Sequence, residues 1–118
     1  MDIEKSTKFE IVTGERGVTD LENVARIGIA ALKDGDEFYT LNIKGIVPRK
    51  LYLVKDENFE NEYTVYSGYD PLQPGGKPFV YPCGNGVLPN GLLDYMEIDL
   101  YALDYPIFMS LYPLKEAA

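Results

Sequence analysis

Arg26-Ile27-Gly28-Ile29-Ala30-Ala31-Leu32-Lys33-Asp34-Gly35-Asp36-Glu37-Phe38-Tyr39-Thr40-Leu41-Asn42-Ile43-Lys44 is the stretch on which the fold turns. Asp34-Gly35 is a strong turn signal, and a short loop around it sets Ala31 against Tyr39, Ile29 against Leu41 and Ile27 against Ile43 on one face. Arg26 with Lys44, Gly28 with Asn42, and Ala30 with Thr40 then share the other face. A helix capped by Thr19 and Asp20 and running through Leu21, Val24, Arg26 and Leu32 competes for residues 19–33. The apolar matching across the turn favours the hairpin, because Ile27, Gly28 and Ile29 are poor helix formers. At most one helical turn, near Asp20 to Asn23, precedes it.

Outward from this hairpin the chain reads as strands. On its N-terminal side, Thr7 to Thr13 carries Phe9, Ile11 and Val12 and then meets the turn formers Gly14 and Gly17. On its C-terminal side, Pro48 interrupts the chain, Lys50 to Lys55 forms a strand, and Glu62 to Ser67 returns from a polar loop at residues 56–61. Residues 68–91 hold six Gly and five Pro and read as a long loop, with Phe79-Val80-Tyr81 as a short extended piece inside it. Regularity then resumes: Met96, Ile98, Leu100 and Ala102 face one way, and Tyr95, Glu97, Asp99 and Tyr101 face the other. A helix through Leu93, Met96, Leu100 and Leu103 is the weaker reading of that segment. Asp104-Tyr105-Pro106 breaks the pattern before a last strand, Ile107 to Leu111. The expected fold is all-β or β-rich, a small antiparallel sandwich or barrel of hairpins in a single domain over residues 1–118.

Charge is distributed unevenly along the 118 residues. Residues 1–55 carry nine acidic and nine basic side chains, whereas residues 56–118 carry ten acidic ones against Lys77 and Lys115 alone, so the net charge of -8 belongs to the second half. Eight of the ten tyrosines lie there too. Such a charge repels nucleic-acid backbones and anionic lipids, so no direct binding to either is expected, and it points to a basic protein surface as partner. No apolar run approaches the roughly 20 residues that a membrane helix needs. Met1-Asp2-Ile3-Glu4-Lys5 lacks the basic and apolar regions of a secretory signal, and the lone Cys83 suits a reducing compartment, so a cytoplasmic location is expected.

Catalytic patterns fail one by one. The chain has no His, the usual base of a nucleophilic triad. Cys83 in Pro82-Cys83-Gly84-Asn85-Gly86 has only Lys77 as a nearby cation and reads as a bystander. Gly75-Gly76-Lys77-Pro78 lacks both the upstream Gly and the Ser or Thr of a phosphate loop. Asp56, Asn58, Glu60 and Glu62 have the alternation of a calcium loop, but Asn61 replaces its Gly and Ser67 its closing Glu. Glu97 and Asp99 stand about 7 Å apart along a strand, a separation compatible with glycoside hydrolysis, yet alternate acids more often mark a solvent face. No enzyme activity, cofactor or metal is expected.

What remains is a row of aromatics and carboxylates: Asp94, Tyr95, Glu97, Asp99 and Tyr101, continued by Asp104 and Tyr105. Tyrosine offers large contact area at low entropic cost, and carboxylates select Lys and Arg on a partner. The expected function is therefore a small acidic protein-binding module, in its sharper form an inhibitor seated in the basic nucleic-acid groove of a DNA- or RNA-handling protein. In size and charge the chain is similar to the acidic inhibitors of phages and mobile elements, such as anti-restriction and anti-CRISPR proteins, a likeness of composition and not of motif. A self-associating assembly subunit and a small-molecule-binding β-barrel are the alternatives.

Overall fold

The computed structural model describes residues 6–18, 20–33, 35, 37–45, 50–59, 61–72, 78–88 and 94–114. Eight strands follow one another: β1 (Ser6–Arg16), β2 (Leu21–Lys33), β3 (Phe38–Ile43), β4 (Lys50–Lys55), β5 (Glu62–Tyr69), β6 (Phe79–Val87), β7 (Tyr95–Leu100) and β8 (Ile107–Ser110). Each pairs antiparallel with the next, and β8 returns to β1 through Ile11 opposite Met109 and Val12 opposite Phe108, closing the sheet into a barrel. No helix occurs among the described residues, and none is long and apolar enough to cross a membrane.

Eight strands enclose a lumen just wide enough for side chains to fill. Phe9, Ile11, Ala30, Leu41, Ile43, Leu51, Leu53, Val65, Met96, Ile98, Leu100, Ile107 and Met109 occupy it. Every strand supplies inward residues at alternate positions, so the lumen is a core and not a channel. Charged and amide side chains such as Asn42, Lys50, Glu62 and Asp99 project outward and are exposed.

The 27–43 hairpin forms, but one residue out of the expected register. Gly28 faces Ile43, Ala30 faces Leu41 and Ala31 faces Thr40. A one-residue slip turns the side chains of one strand to the opposite face, so Ala30 joins Leu41 and Ile43 in filling the barrel while Ile29 turns to the outer wall and Ile27, at a bulge of β2, packs partly buried against the core. Gly28 accounts for the choice. A Cβ there would overlap the Asn42 carbonyl oxygen and lie 2.9 Å from the Ile43 Cα, so this tight crossing of β2 and β3 admits only hydrogen at that position. The helical turn near Asp20 is also replaced. The Asp20 carboxylate accepts from the Leu21 N–H at 2.8 Å and the Gly17 N–H donates to the Asp20 carbonyl at 2.7 Å, which makes a hairpin turn from which β2 departs.

The Gly/Pro-rich stretch is the larger correction. Instead of one long loop, residues 79–87 form β6, with Tyr69 opposite Phe79 and Gly84 opposite both Val65 and Leu100. Gly84 and Gly86 are buried, and a Cβ on them would meet the Asp99 carbonyl at 2.5 Å and the Met96 sulfur at 2.9 Å. The glycines that suggested a loop mark close packing inside the barrel. Residues 73–77, including Gly75-Gly76-Lys77, lie outside the described residues.

Two hairpins outrun the barrel and fold back on its outside. The β1–β2 arm lays Leu21 over Val12 and Phe108 to form a second apolar cluster, edged by Tyr95. The β5–β6 arm brings Tyr69 and Phe79 against Phe38 and Tyr52, with Phe38 and Phe79 edge to face at 4.9 Å and Tyr66 5.8 Å from Phe79. Gly28→Ala is expected to destabilise the protein by about 2–3 kcal/mol, read as a lowered midpoint in urea titration. An unchanged midpoint would contradict the tight β2–β3 crossing.

Candidate functional site

Because Met96, Ile98 and Leu100 point into the barrel, Tyr95, Glu97 and Asp99 project from its outer wall. The structure does not keep the expected row together; it divides the seven residues in two. Toward the start of β7 the chain's own groups engage them. The Tyr95 ring meets Phe108 edge to face at 6.4 Å, and Arg16 from the β1–β2 arm pairs with the Glu97 carboxylate. Asp94 accepts the Leu111 N–H on its carbonyl at 2.9 Å and the Tyr112 hydroxyl on its carboxylate.

Asp99, Tyr101, Asp104 and Tyr105 form the other half, and all four are exposed. β7 ends at Leu100, so Tyr101 opens a turn and does not continue the strand face. Tyr101 is 64% exposed and Tyr105 50%. Tyr101 is nonetheless held in place. Its N–H donates to the Cys83 carbonyl at 2.9 Å, and its hydroxyl accepts from Asn85 Nδ2 at 3.3 Å. Asn85 stands opposite Asp99 on β6, which sets an amide, a carboxylate and a fixed phenol side by side. Large contact area with little freedom left to lose is what an interface anchor requires.

Burial, followed by the nearby charges of Asp20, Glu10 and Asp94, pushes the Tyr95 hydroxyl above its ordinary pKa. Burial, with Tyr63 adding to it, does the same to Tyr39. The Cys83 thiol is half-buried and burial raises it too, the opposite of what a nucleophile needs. Asp56 caps its own hairpin tip, accepting from the Asn58 and Phe59 N–H groups at 2.7 and 3.1 Å. Glu60 lies outside the described residues, among which no three His, Cys, Asp or Glu side chains gather as a metal site.

Two surface features escaped the sequence reading. One is the ring cluster Phe38, Tyr52, Tyr66, Tyr69 and Phe79; Tyr52 and Tyr66 lie opposite each other across the β4–β5 hairpin, a pairing readable from the strands, whereas Phe79 reads in sequence only as the start of a short extended piece within a loop, with no pairing partner. The other is a shallow groove of about 350 Å³ lined by Arg26, Ile27, Gly28, Ile29, Asn42 and Lys44. Ile29 reaches it because the register slip turns that side chain outward. Within it, Arg26 is bonded to Glu10 at 2.7 Å.

No protein-family model, curated protein or solved structure matches this chain. The geometry of its own surface carries the functional reading.

Tyr39 and Tyr95 have folded pKa values above the ordinary 10.0, so the folded state holds their protons more tightly than the unfolded chain. Stability from this source is fully present below about pH 10 and is lost as pH rises through the folded values. Thermal melts between about pH 9 and about pH 12 should show that loss. Tyr95→Phe, which cannot ionise, should flatten part of the slope; an unchanged slope would remove Tyr95 as a cause.

Proposed function

We propose that this protein is a non-catalytic binding module that contacts a basic protein surface through Asp99, Tyr101, Asp104 and Tyr105. The observation that carries the reading is Tyr101: an exposed aromatic fixed by two hydrogen bonds and flanked by carboxylates. A ring in that state serves little packing purpose within its own fold, while it is prepared to bury area against a partner. The net charge of -8 supports it by steering a basic partner into contact. The groove of a DNA- or RNA-handling protein has that chemistry, and an inhibitor occupying it in the cytoplasm is the specific form we propose. Tyr95 and Glu97, held by Phe108 and Arg16, and Asp94, held by Tyr112, support the contact from behind.

The two alternatives are less favoured by the architecture. Assembly through strand edges has less edge to use where β8 pairs with β1, through Ile11 opposite Met109 and Val12 opposite Phe108. A ligand in the barrel would have to displace side chains such as Leu41, Leu53 and Met96, which are fully buried in the lumen.

The test is a tagged pull-down from source-cell lysate at low and high salt, with Asp99→Asn/Asp104→Asn and Tyr101→Ala variants in parallel. The expected outcome is a partner retained at low salt and shed at high salt, with each variant weakening retention by roughly tenfold. Retention unchanged in all variants would refute this surface, and a defined oligomer in light scattering with no foreign partner would favour self-association.

A further inference from the structure

We infer that the groove on the outer wall of β2 and β3 binds a small organic acid, a carboxylate carrying a compact apolar body, at a site separate from the protein-binding surface above. The groove is built by an irregularity of the sheet. In the β1–β2 ladder Ile11 faces Gly28 and Val12 faces Arg26, which leaves Ile27 as an extra, bulged residue. Strict alternation from the outward Ile29 would turn Arg26 toward the lumen. The bulge adds one residue and re-aims it, so Arg26 stands on the outer wall, where it bonds Glu10, the residue opposite Ile29 on β1. Asn42, opposite Ile29 on β3, and Lys44 reach the same wall by alternating with the buried Leu41 and Ile43. The Lys44 N–H donates to the Ile27 carbonyl at 2.8 Å, which ties β3 to the bulge itself.

The groups so gathered suit a carboxylate. Glu10 engages Arg26 through Nε at 2.7 Å, which fixes the guanidinium and leaves its two terminal Nη groups to bond an incoming oxygen. Lys44 is exposed and forms no ion pair among the described residues. Asn42 adds an amide donor, and Lys50 stands opposite Asn42 on β4. A planar guanidinium, an ammonium and an amide beside one another make charge-assisted bonds to a carboxylate. Beneath them Ile27, Gly28 and Ile29 are half-buried and give the groove an apolar floor.

Size and topology select a small molecule over a macromolecule. A volume of about 350 Å³ is at the low end for ligand sites. A peptide could not add as a strand here, because β2 is paired with β1 and β3, and β3 with β4. The net charge of -8 does not forbid an anion at this place. β3 and β7 lie on opposite sides of the eight-strand ring, and charges more than about 8 Å apart are largely screened at physiological salt.

The experiment titrates naphthoate and its neutral counterpart naphthamide into the full chain at physiological salt, followed by backbone amide NMR. Naphthoate should shift the Ile27 to Ile29 and Asn42 to Lys44 amides and bind roughly tenfold tighter than naphthamide. Lys44→Gln and Arg26→Gln, both at exposed positions, should each weaken naphthoate roughly tenfold and leave naphthamide unchanged. Equal affinity for the two probes would reduce the groove to an apolar patch and overturn the inference, as would shifts confined to other parts of the barrel. Hexaglutamate that displaces naphthoate and binds more tightly would also overturn it, since the groove would then take an acidic protein segment.

Discussion

Closure of the sheet is the constraint on which everything else rests. Ile11 opposite Met109 and Val12 opposite Phe108 join the last strand to the first, and without that seam the outer strands would expose unpaired backbone. The seam is protected on both faces. Inside, Ile11 and Met109 are wholly buried in the lumen; outside, Val12 and Phe108 are covered by Leu21 as the β1–β2 arm folds over them. Backbone pairing and two apolar clusters therefore close the ring together.

The arms follow from a mismatch of strand lengths. β1 and β2 run for 11 and 13 residues, whereas β8 has four, so the hairpin must continue past the barrel rim. A free two-stranded ribbon is marginal in water, and each arm instead gains stability by turning its apolar residues back onto the wall. The β1–β2 arm takes up the start of β7 through Arg16 and Glu97. What it leaves uncovered is the end of β7 and the turn beyond, where Asp99, Tyr101, Asp104 and Tyr105 stand exposed. The candidate surface is thus one part of the outer wall that the β1–β2 arm leaves exposed.

Much of this was legible in local pattern. Strands alternating apolar and polar residues are where the sequence places them, Lys50–Lys55 at the limits read and Tyr95–Leu100 ending before the expected Tyr101 and Ala102, because one face of each fills the lumen and the other meets water. Two readings failed for related reasons. The Ile27–Ile43 match placed apolar opposite apolar but could not register the backbone crowding at Gly28. The Gly/Pro content of residues 68–91 resembled a loop because composition does not distinguish a glycine needed for turning from one needed for close approach, as at Gly84 and Gly86. The candidate site was half legible: Asp99, Tyr101, Asp104 and Tyr105 did reach the surface, while Arg16, 81 residues from Glu97 in sequence, carried no local sign of its role.

By itself the sequence determined the class of fold, the absence of a histidine-based site and the side of the molecule's chemistry on which charge and tyrosine accumulate. These depend on periodicity and composition, which neighbouring residues settle among themselves. Tertiary structure alone decided closure into a barrel, the register of β2 on β3, and which of the predicted tyrosines stay bare. Each of these depends on contacts between segments distant in sequence, where backbone clearance at a single glycine or cover from a folded-back arm outweighs any local preference.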